Sequence, residues 1–109
     1  MSLSGRQAQF ADMVADLIQE AVRLGFNVTL GEAYRTPEQA ALYAQQGKGI
    51  VNSLHCKRLA IDLCLFRDGQ YLIQTEDYRS LGEWWEAQGG RWGGRFTRAD
   101  GNHFELPEG

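Results

Sequence analysis

The chain has 109 residues, of which 43% are hydrophobic and 23% are charged, a composition that supports one globular core without disulfides. A formal net charge of −3 argues against a general electrostatic surface for nucleic acid or for an anionic membrane. The sequence has no apolar run of the roughly 20 residues that a membrane span needs, and no basic-then-apolar signal segment. We therefore expect one domain over residues 1–109, monomeric, made in the cytoplasm and not inserted in a membrane; residues 1–3 could be an expression leader.

The first predicted elements are a helix and a short strand. Apolar residues recur at helical spacing over residues 5–24, and Ser4 followed by Gln7 has the spacing of a capping box. Residues 26–30 then alternate apolar and polar side chains, which is typical of a strand with one buried face.

A second helix is predicted over residues 37–46. Thr36 can cap it, Pro37 suits the first helical position, and Gln39 completes a capping box. Gly47 is expected to end this helix, and residues 47–53 are expected to form a loop.

The second half of the chain predicts a sheet. Residues 59–66 form an apolar strand, Asp68-Gly69 is a two-residue hairpin signal, and residues 71–73 would be the return strand. Asp77 is expected to cap a helix over residues 78–88, and the last strand is expected at residues 103–106. This order predicts an α+β fold, a small antiparallel sheet with helices packed on one side.

Three residues have the types and placement of a zinc site. His55 and His103 are the only histidines of the chain, Asp62 opens the strongest predicted strand, and His103 opens the last strand. Two imidazoles and one carboxylate leave a fourth zinc position for water, which is the pattern of a catalytic rather than a structural site. Each histidine taken alone would more often be structural.

Asp62 is the only charged residue in the apolar run of residues 61–66. A carboxylate there must either face solvent or pair with a cation. A bound metal would satisfy the same electrostatic requirement.

These residues resemble a known motif. Residues 53–62, SLHCKRLAID, are similar to the pattern S-x-H-x-x-G-x-A-x-D of the zinc peptidases that include D-alanyl-D-alanine carboxypeptidases and phage L-alanyl-D-glutamate endolysins. Asp100 stands three residues before His103, as that family's acid does, and residues 34–36 resemble its Y-R-T segment. The resemblance spans about residues 10–106, is greatest to the compact phage endolysins, and implies the hedgehog/D-Ala-D-Ala-peptidase-like fold.

The resemblance also implies roles for individual residues. His55, Asp62 and His103 would bind one zinc ion, and Asp100 would act as the general base. Arg35 would steady the scissile carbonyl, and Ser53 would contact substrate or support a ligand. One position departs from the pattern, because Arg58 stands where the family has glycine; if a positive φ is needed there, arginine is strained and the turn is expected to differ.

Other interpretations of these side chains remain open. Asp100 lies in a stretch that also has the composition of a turn, and Glu105 is a rival base because it shares a strand face with His103. Arg35 could be a solvated charge. Cys56 beside His55 could suggest a nucleophile pair, but neighbours on an extended chain point in opposite directions.

The function that these observations favour is hydrolysis of an amide bond in the peptidoglycan stem peptide, foremost the L-alanyl-D-glutamate bond. The enzyme would act on the cell wall after release from the cytoplasm, as a phage or prophage product. The alternatives are a D-alanyl-D-alanine carboxypeptidase and a non-catalytic zinc module of the same fold. A non-haem iron site is disfavoured, since its first histidine and acid usually stand one residue apart.

Overall fold

The computed structural model describes residues 2–109 and contains, within them, three α-helices and five strands. The helices are α1 (Leu3–Arg23), α2 (Pro37–Gln45) and α3 (Arg79–Ala87). The strands are β1 (Asn27–Leu30), β2 (Ala60–Arg67), β3 (Gln70–Tyr71), β4 (Arg91–Trp92) and β5 (His103–Glu105). Three 3₁₀ turns, Leu54–Lys57, Thr75–Tyr78 and Gly93–Arg95, complete the order of elements. The α+β class predicted from the sequence is confirmed.

The sheet is antiparallel, with β2 at its centre. Its strand order is β1-β2-β5-β4, and the short β3 also pairs with β2. In the β2–β5 ladder Asp62 lies directly opposite His103. Strand pairing therefore brings together two of the residues that the sequence predicts as metal ligands. Strand β4 was not predicted; the sequence there indicated only a loop rich in glycine and arginine.

The hairpin between β2 and β3 turns as predicted. Asp68 and Gly69 have φ values of 53° and 76°, the pair of positive φ angles that a two-residue hairpin turn of this type requires. The return strand occupies Gln70–Tyr71 rather than residues 71–73.

Helix starts agree with the predictions in one case of three. Thr36 caps α2 by accepting a hydrogen bond from the backbone N–H of Gln39 at 3.1 Å, as expected. Helix α1 begins earlier than predicted because Ser2, and not Ser4, caps it, accepting from the N–H of Gly5 at 3.1 Å. Asp77 accepts from the N–H of Gln74 and caps the 3₁₀ turn that precedes α3, so its predicted role at the α-helix itself is wrong.

The core lies between α1, α3 and the sheet. Its fully buried side chains include Leu17, Leu63, Leu65 and Phe104 together with two tryptophans. Trp85 Nε1 donates to the carbonyl of Glu105 at 2.9 Å, and Trp92 Nε1 donates to the carbonyl of Gly101 at 2.7 Å. These two bonds satisfy the buried indole N–H groups and attach β5 to the core at both ends.

Within residues 2–109, no helix combines the length and apolar composition that crossing a bilayer requires.

Candidate metal centre and its cleft

The three predicted ligands converge at one end of the β2–β5 ladder. Asp62 Oδ1 lies 3.3 Å from His55 Nε2 and 3.2 Å from His103 Nδ1, and one ligand atom from each residue lies within 4.8 Å of the others. Ligands about 2.1 Å from a tetrahedral zinc ion are roughly 3.4 Å apart. The donor set and its spacing therefore fit a single zinc ion.

The two histidines present different nitrogens to this point. His55 Nδ1 lies 3.4 Å from the carbonyl of Ala33 and can donate to it, which leaves Nε2 for a metal. His103 has the opposite arrangement, since Nε2 lies 2.6 Å from Glu105 Oε1 and Nδ1 faces Asp62. A partner on the far nitrogen fixes the ring orientation and tautomer of a metal-binding histidine.

Charge holds Asp62 and His103 in place. Burial raises the pKa of Asp62, but hydrogen bonds from His103 and His55 outweigh it and lower that pKa to about 2. Burial lowers the pKa of His103, but hydrogen bonds to Asp62 and Glu105 outweigh it and raise that pKa to about 9. In the metal-free protein, protonated His103 therefore supplies the positive charge between the carboxylates of Asp62 and Glu105.

Glu105 contacts the nitrogen of His103 that points away from Asp62. It is buried, and its second oxygen accepts from Arg91 Nε at 2.5 Å. Burial raises the pKa of Glu105, but the hydrogen bonds from His103 and Arg91 lower it by more and hold this pKa below its usual value. Both oxygens of this rival base are therefore engaged by cationic or ring N–H groups.

Asp100 has a different environment. Its Oδ2 lies 3.9 Å from His103 Nδ1, the nitrogen that faces the metal position, and about half of its side chain is exposed. Burial and the neighbouring Asp62 carboxylate raise the pKa of Asp100 against the smaller opposing effect of the histidines and Arg35. Its backbone carbonyl accepts from the N–H of His103 at 3.1 Å, so the turn that the composition indicated is also present.

Two glycines allow the close approaches that build this site. A Cβ on Gly31 would stand 2.9 Å from the backbone oxygen of Asp62, and one on Gly93 would stand 2.3 Å from the backbone oxygen of Asp100. The segment that follows β1 and the loop that carries Asp100 therefore pack too tightly for a larger residue at these two positions.

Arg35 belongs to a network that the sequence analysis described only in part. Its Nε donates to Glu32 Oε1 at 2.7 Å and its Nη1 donates to Ser53 Oγ at 3.3 Å. Its guanidinium also lies over the ring of Tyr43. Ser53 Oγ accepts in addition from the backbone N–H of His55 at 3.2 Å, so one hydroxyl connects Arg35 to the segment that carries a ligand.

Glu32 is the site residue that sequence analysis missed. Its backbone carbonyl accepts from the N–H of Asp62 at 2.9 Å, and its carboxylate pairs with Arg35 and lies 3.9 Å from His55 Nδ1. The available signal was an acid three residues before Arg35 and two residues after a predicted strand.

The turn at Arg58 keeps a left-handed backbone. Arg58 has φ 56° and ψ 38°, so the conformation that favours glycine is present and the expected change of turn is wrong. The guanidinium of Arg58 lies 4.0 Å from the centre of the Tyr34 ring. This cation–π contact offsets part of the backbone strain.

The candidate ligands, Asp100, Arg35 and Ser53 all line one open cavity of about 820 Å³. Residues 47–50 and, from the loop before β5, Phe96, Arg98 and Ala99 also line it. An extended peptide could therefore reach the predicted metal position from solvent.

The chain is similar to known proteins in sequence pattern and in fold. A family model described as D-alanyl-D-alanine carboxypeptidase matches residues 46–106, a segment that contains Ser53, the three predicted ligands and Asp100 but not Arg35. No curated protein is significantly similar in sequence to the chain. The fold is similar to that of the Serratia marcescens L-Ala D-Glu endopeptidase ChiX, with a TM-score of 0.71 and 23% sequence identity over 89% of this chain and 79% of that one.

Proposed function

From its membership of the D-alanyl-D-alanine carboxypeptidase family, we propose that this chain is a zinc peptidase that hydrolyses an amide bond in the peptidoglycan stem peptide. The observation that carries the proposal is the convergence of His55, Asp62 and His103 at the base of an open cleft. Two imidazoles and a carboxylate are the ligands of many catalytic zinc sites.

His55 Nε2, Asp62 and His103 Nδ1 would hold the ion. When bound in such a site, zinc lowers the pKa of water to about 7 and polarises a carbonyl group. Glu105 and the carbonyl of Ala33 support this role, because they engage the ring nitrogens that face away from Asp62.

Asp100 is the residue we assign as general base. It faces the cleft, it is half exposed, and its pKa is raised, so it can take a proton and return it to the leaving amine. Glu105 is less suited, because its carboxylate is buried, its pKa is lowered, and it already accepts from His103 and Arg91.

Arg35 is the residue we assign to the substrate carbonyl. Its side chain lines the cleft and is held by Glu32, Ser53 and Tyr43, so little freedom remains to be lost when substrate binds. A fixed guanidinium stabilises negative charge that develops on an oxygen in the transition state. Ser53 supports Arg35 and His55, and its burial favours this supporting role over direct substrate contact.

The bond we propose is L-alanyl-D-glutamate. The likeness to the fold of an L-Ala D-Glu endopeptidase is consistent with this choice, whereas the family description names a D-alanyl-D-alanine carboxypeptidase. A non-catalytic module is disfavoured, because such a module has no need to keep both a carboxylate and an arginine beside the metal position.

Mass spectrometry of muropeptides after incubation with zinc-loaded protein tests the proposal. Two kinds of new fragment are expected, one that ends in L-alanine and one that begins with D-glutamate. The His103→Ala protein is the matched control. Release of D-alanine alone would assign the carboxypeptidase activity instead. Intact muropeptides after incubation with protein shown to contain zinc would contradict the proposal.

A further inference from the structure

The charge of the cleft differs from that of the rest of the chain. The protein carries a net charge of −3, yet the residues that line the cleft include four cations and three acids. The cations are Arg35, Lys48, Arg91 and Arg98, and the acids are Asp62, Asp100 and Glu105. A bound divalent ion would make this surface still more positive.

Two of the four cations already form ion pairs with residues of the protein. Arg35 pairs with Glu32, and Arg91 pairs with Glu105. Neither Lys48 nor Arg98 forms an ion pair with any residue in the described range 2–109. These two side chains therefore supply positive charge that is available to a ligand in the cleft.

The segments that carry Lys48 and Arg98 are joined across the cleft. Arg98 Nη1 donates to the carbonyl of Gly47 at 3.0 Å, across 51 positions of sequence, and Gly47 directly precedes Lys48. The N–H of Lys48 donates to the carbonyl of Tyr43 at 2.8 Å, at the end of α2. One hydrogen bond thus joins the segments of Lys48 and Arg98, and both residues line the same cleft.

We propose that Lys48 and Arg98 are specificity residues that bind a free carboxylate of the substrate near the scissile bond. This inference rests on the function proposed above and deepens it. D-glutamate has two carboxyl groups, and only one of them continues the peptide, so a stem peptide presents a free carboxylate unless that group is amidated. Cations at the rim would favour the carboxylate form over the neutral carboxamide.

The test compares two blocked stem tripeptides that differ only in that group, carboxylate or carboxamide. For the wild-type protein, kcat/KM is expected to be on the order of tenfold higher for the carboxylate, the size of a charge-assisted hydrogen bond in a partly exposed site. Lys48→Gln and Arg98→Gln are each expected to reduce this ratio by lowering the value for the carboxylate alone. Lys48→Arg should keep most of the preference.

Matched controls are available outside the cleft. Lys57→Gln removes the only other lysine, which pairs with Glu108, and Arg23→Gln removes an exposed arginine that pairs with Glu20. Both variants should keep the wild-type ratio. Equal cleavage of the two peptides by wild-type protein, or a parallel loss on both peptides in the Lys48 and Arg98 variants, would overturn the inference.

Calorimetric binding separates this inference from the proposed function. The probes are the peptides that begin with D-glutamate, as carboxylate and as carboxamide, titrated into zinc-loaded and metal-free protein. Tighter binding of the carboxylate, weakened in Lys48→Gln and Arg98→Gln and by added salt, supports the inference even if no bond is cleaved. Equal binding of both probes overturns it, even if the stem peptide is hydrolysed.

Discussion

The β2–β5 ladder and the loops facing it contribute to the site in different ways. Asp62 and His103 are paired across the ladder, so backbone hydrogen bonds and core packing on both sides fix their separation. Asp100, Lys48 and Arg98 stand on loops outside the sheet, which are held by local backbone bonds such as that from the Asp100 N–H to the carbonyl of Gly93 and by the bond from Arg98 to Gly47. The comparison predicts that the ladder, together with the turn that carries His55, governs metal binding, whereas the loops govern what happens to a substrate beside the metal.

The largest effect is expected from the ladder. His103→Ala or Asp62→Asn removes one of three ligands, so zinc should fall from about one ion per chain to a small fraction, and hydrolysis should be lost. Elemental analysis of protein purified without chelator measures the metal, and circular dichroism checks that the fold is kept. Full zinc content in both variants would show that the predicted ligand set is wrong.

Asp100→Asn should have the next largest effect, and it should separate loss of activity, a property of the loops, from loss of metal, a property of the ligand-bearing elements. Activity should fall by about 10²- to 10⁴-fold, the usual contribution of a general base, while zinc content and thermal stability stay near wild type. Glu105→Gln should instead weaken zinc binding by about 10- to 100-fold, because it removes the partner of His103 Nε2. Full activity in Asp100→Asn together with loss of activity at saturating zinc in Glu105→Gln would reverse the assignment.

Arg35→Ala should lower kcat by about 10²- to 10³-fold with little change in KM, by analogy with loss of one oxyanion donor. Arg35→Lys keeps the charge but loses the planar guanidinium, and it should retain partial activity.

Glu32→Gln tests the network that holds Arg35. It should leave Arg35 less firmly held and reduce kcat less than Arg35→Ala does. Steady-state kinetics on a defined muropeptide, with zinc measured on the same samples, distinguishes these outcomes. An unchanged kcat in Arg35→Ala would show that the guanidinium acts only as a structural charge.

Two groups of the ladder are expected to contribute to the pH dependence of the stability of the metal-free protein. The pKa of His103 is raised from 6.5 to about 9 in the folded protein, so its contribution to stability is complete below pH 6.5 and is lost as pH rises through 9. The pKa of Asp62 is lowered from 3.8 to about 2, so its contribution is present above pH 3.8 and is lost as pH falls through 2. These two groups therefore favour the window from about pH 4 to 6.5, which thermal unfolding in chelator can map.

The same shift predicts that zinc binding at pH 7.5 releases about one proton from His103, since zinc and the proton compete for Nδ1. Calorimetry in buffers of different ionisation enthalpy counts that proton. Zinc binding without proton release would contradict the protonation of His103 in the metal-free site.

The smallest effect is expected at Arg58, in the turn that precedes β2. Arg58→Gly relieves a left-handed backbone conformation but also removes the contact with Tyr34 and adds freedom to the unfolded chain. These contributions oppose one another, so the free energy of unfolding should change by less than about 1 kcal/mol, with activity unchanged. Gly31→Ala is the contrasting variant, because its methyl group would press on the backbone of Asp62. Equal effects of the two substitutions would contradict this explanation.

The sequence predicted the ladder better than the loops, for physical reasons. Alternation and apolar runs report which residues a strand buries, so β2 and β5 were located to within a residue or so, and with them Asp62 and His103. Loop contacts depend on three-dimensional closure that no local pattern encodes. The pairing of Glu32 with Arg35, the bond from Arg98 to Gly47, and strand β4 were found only in the structure.

The two core tryptophans give the site an optical consequence. The indole N–H of Trp92 donates to the carbonyl of Gly101, and that of Trp85 donates to the carbonyl of Glu105, on either side of His103. Any shift of that strand alters the hydrogen bonding of a buried fluorophore. The ultraviolet emission of the unlabelled protein should therefore follow occupation of the metal position, which would allow loading to be timed in a stopped-flow instrument before any bond is cleaved.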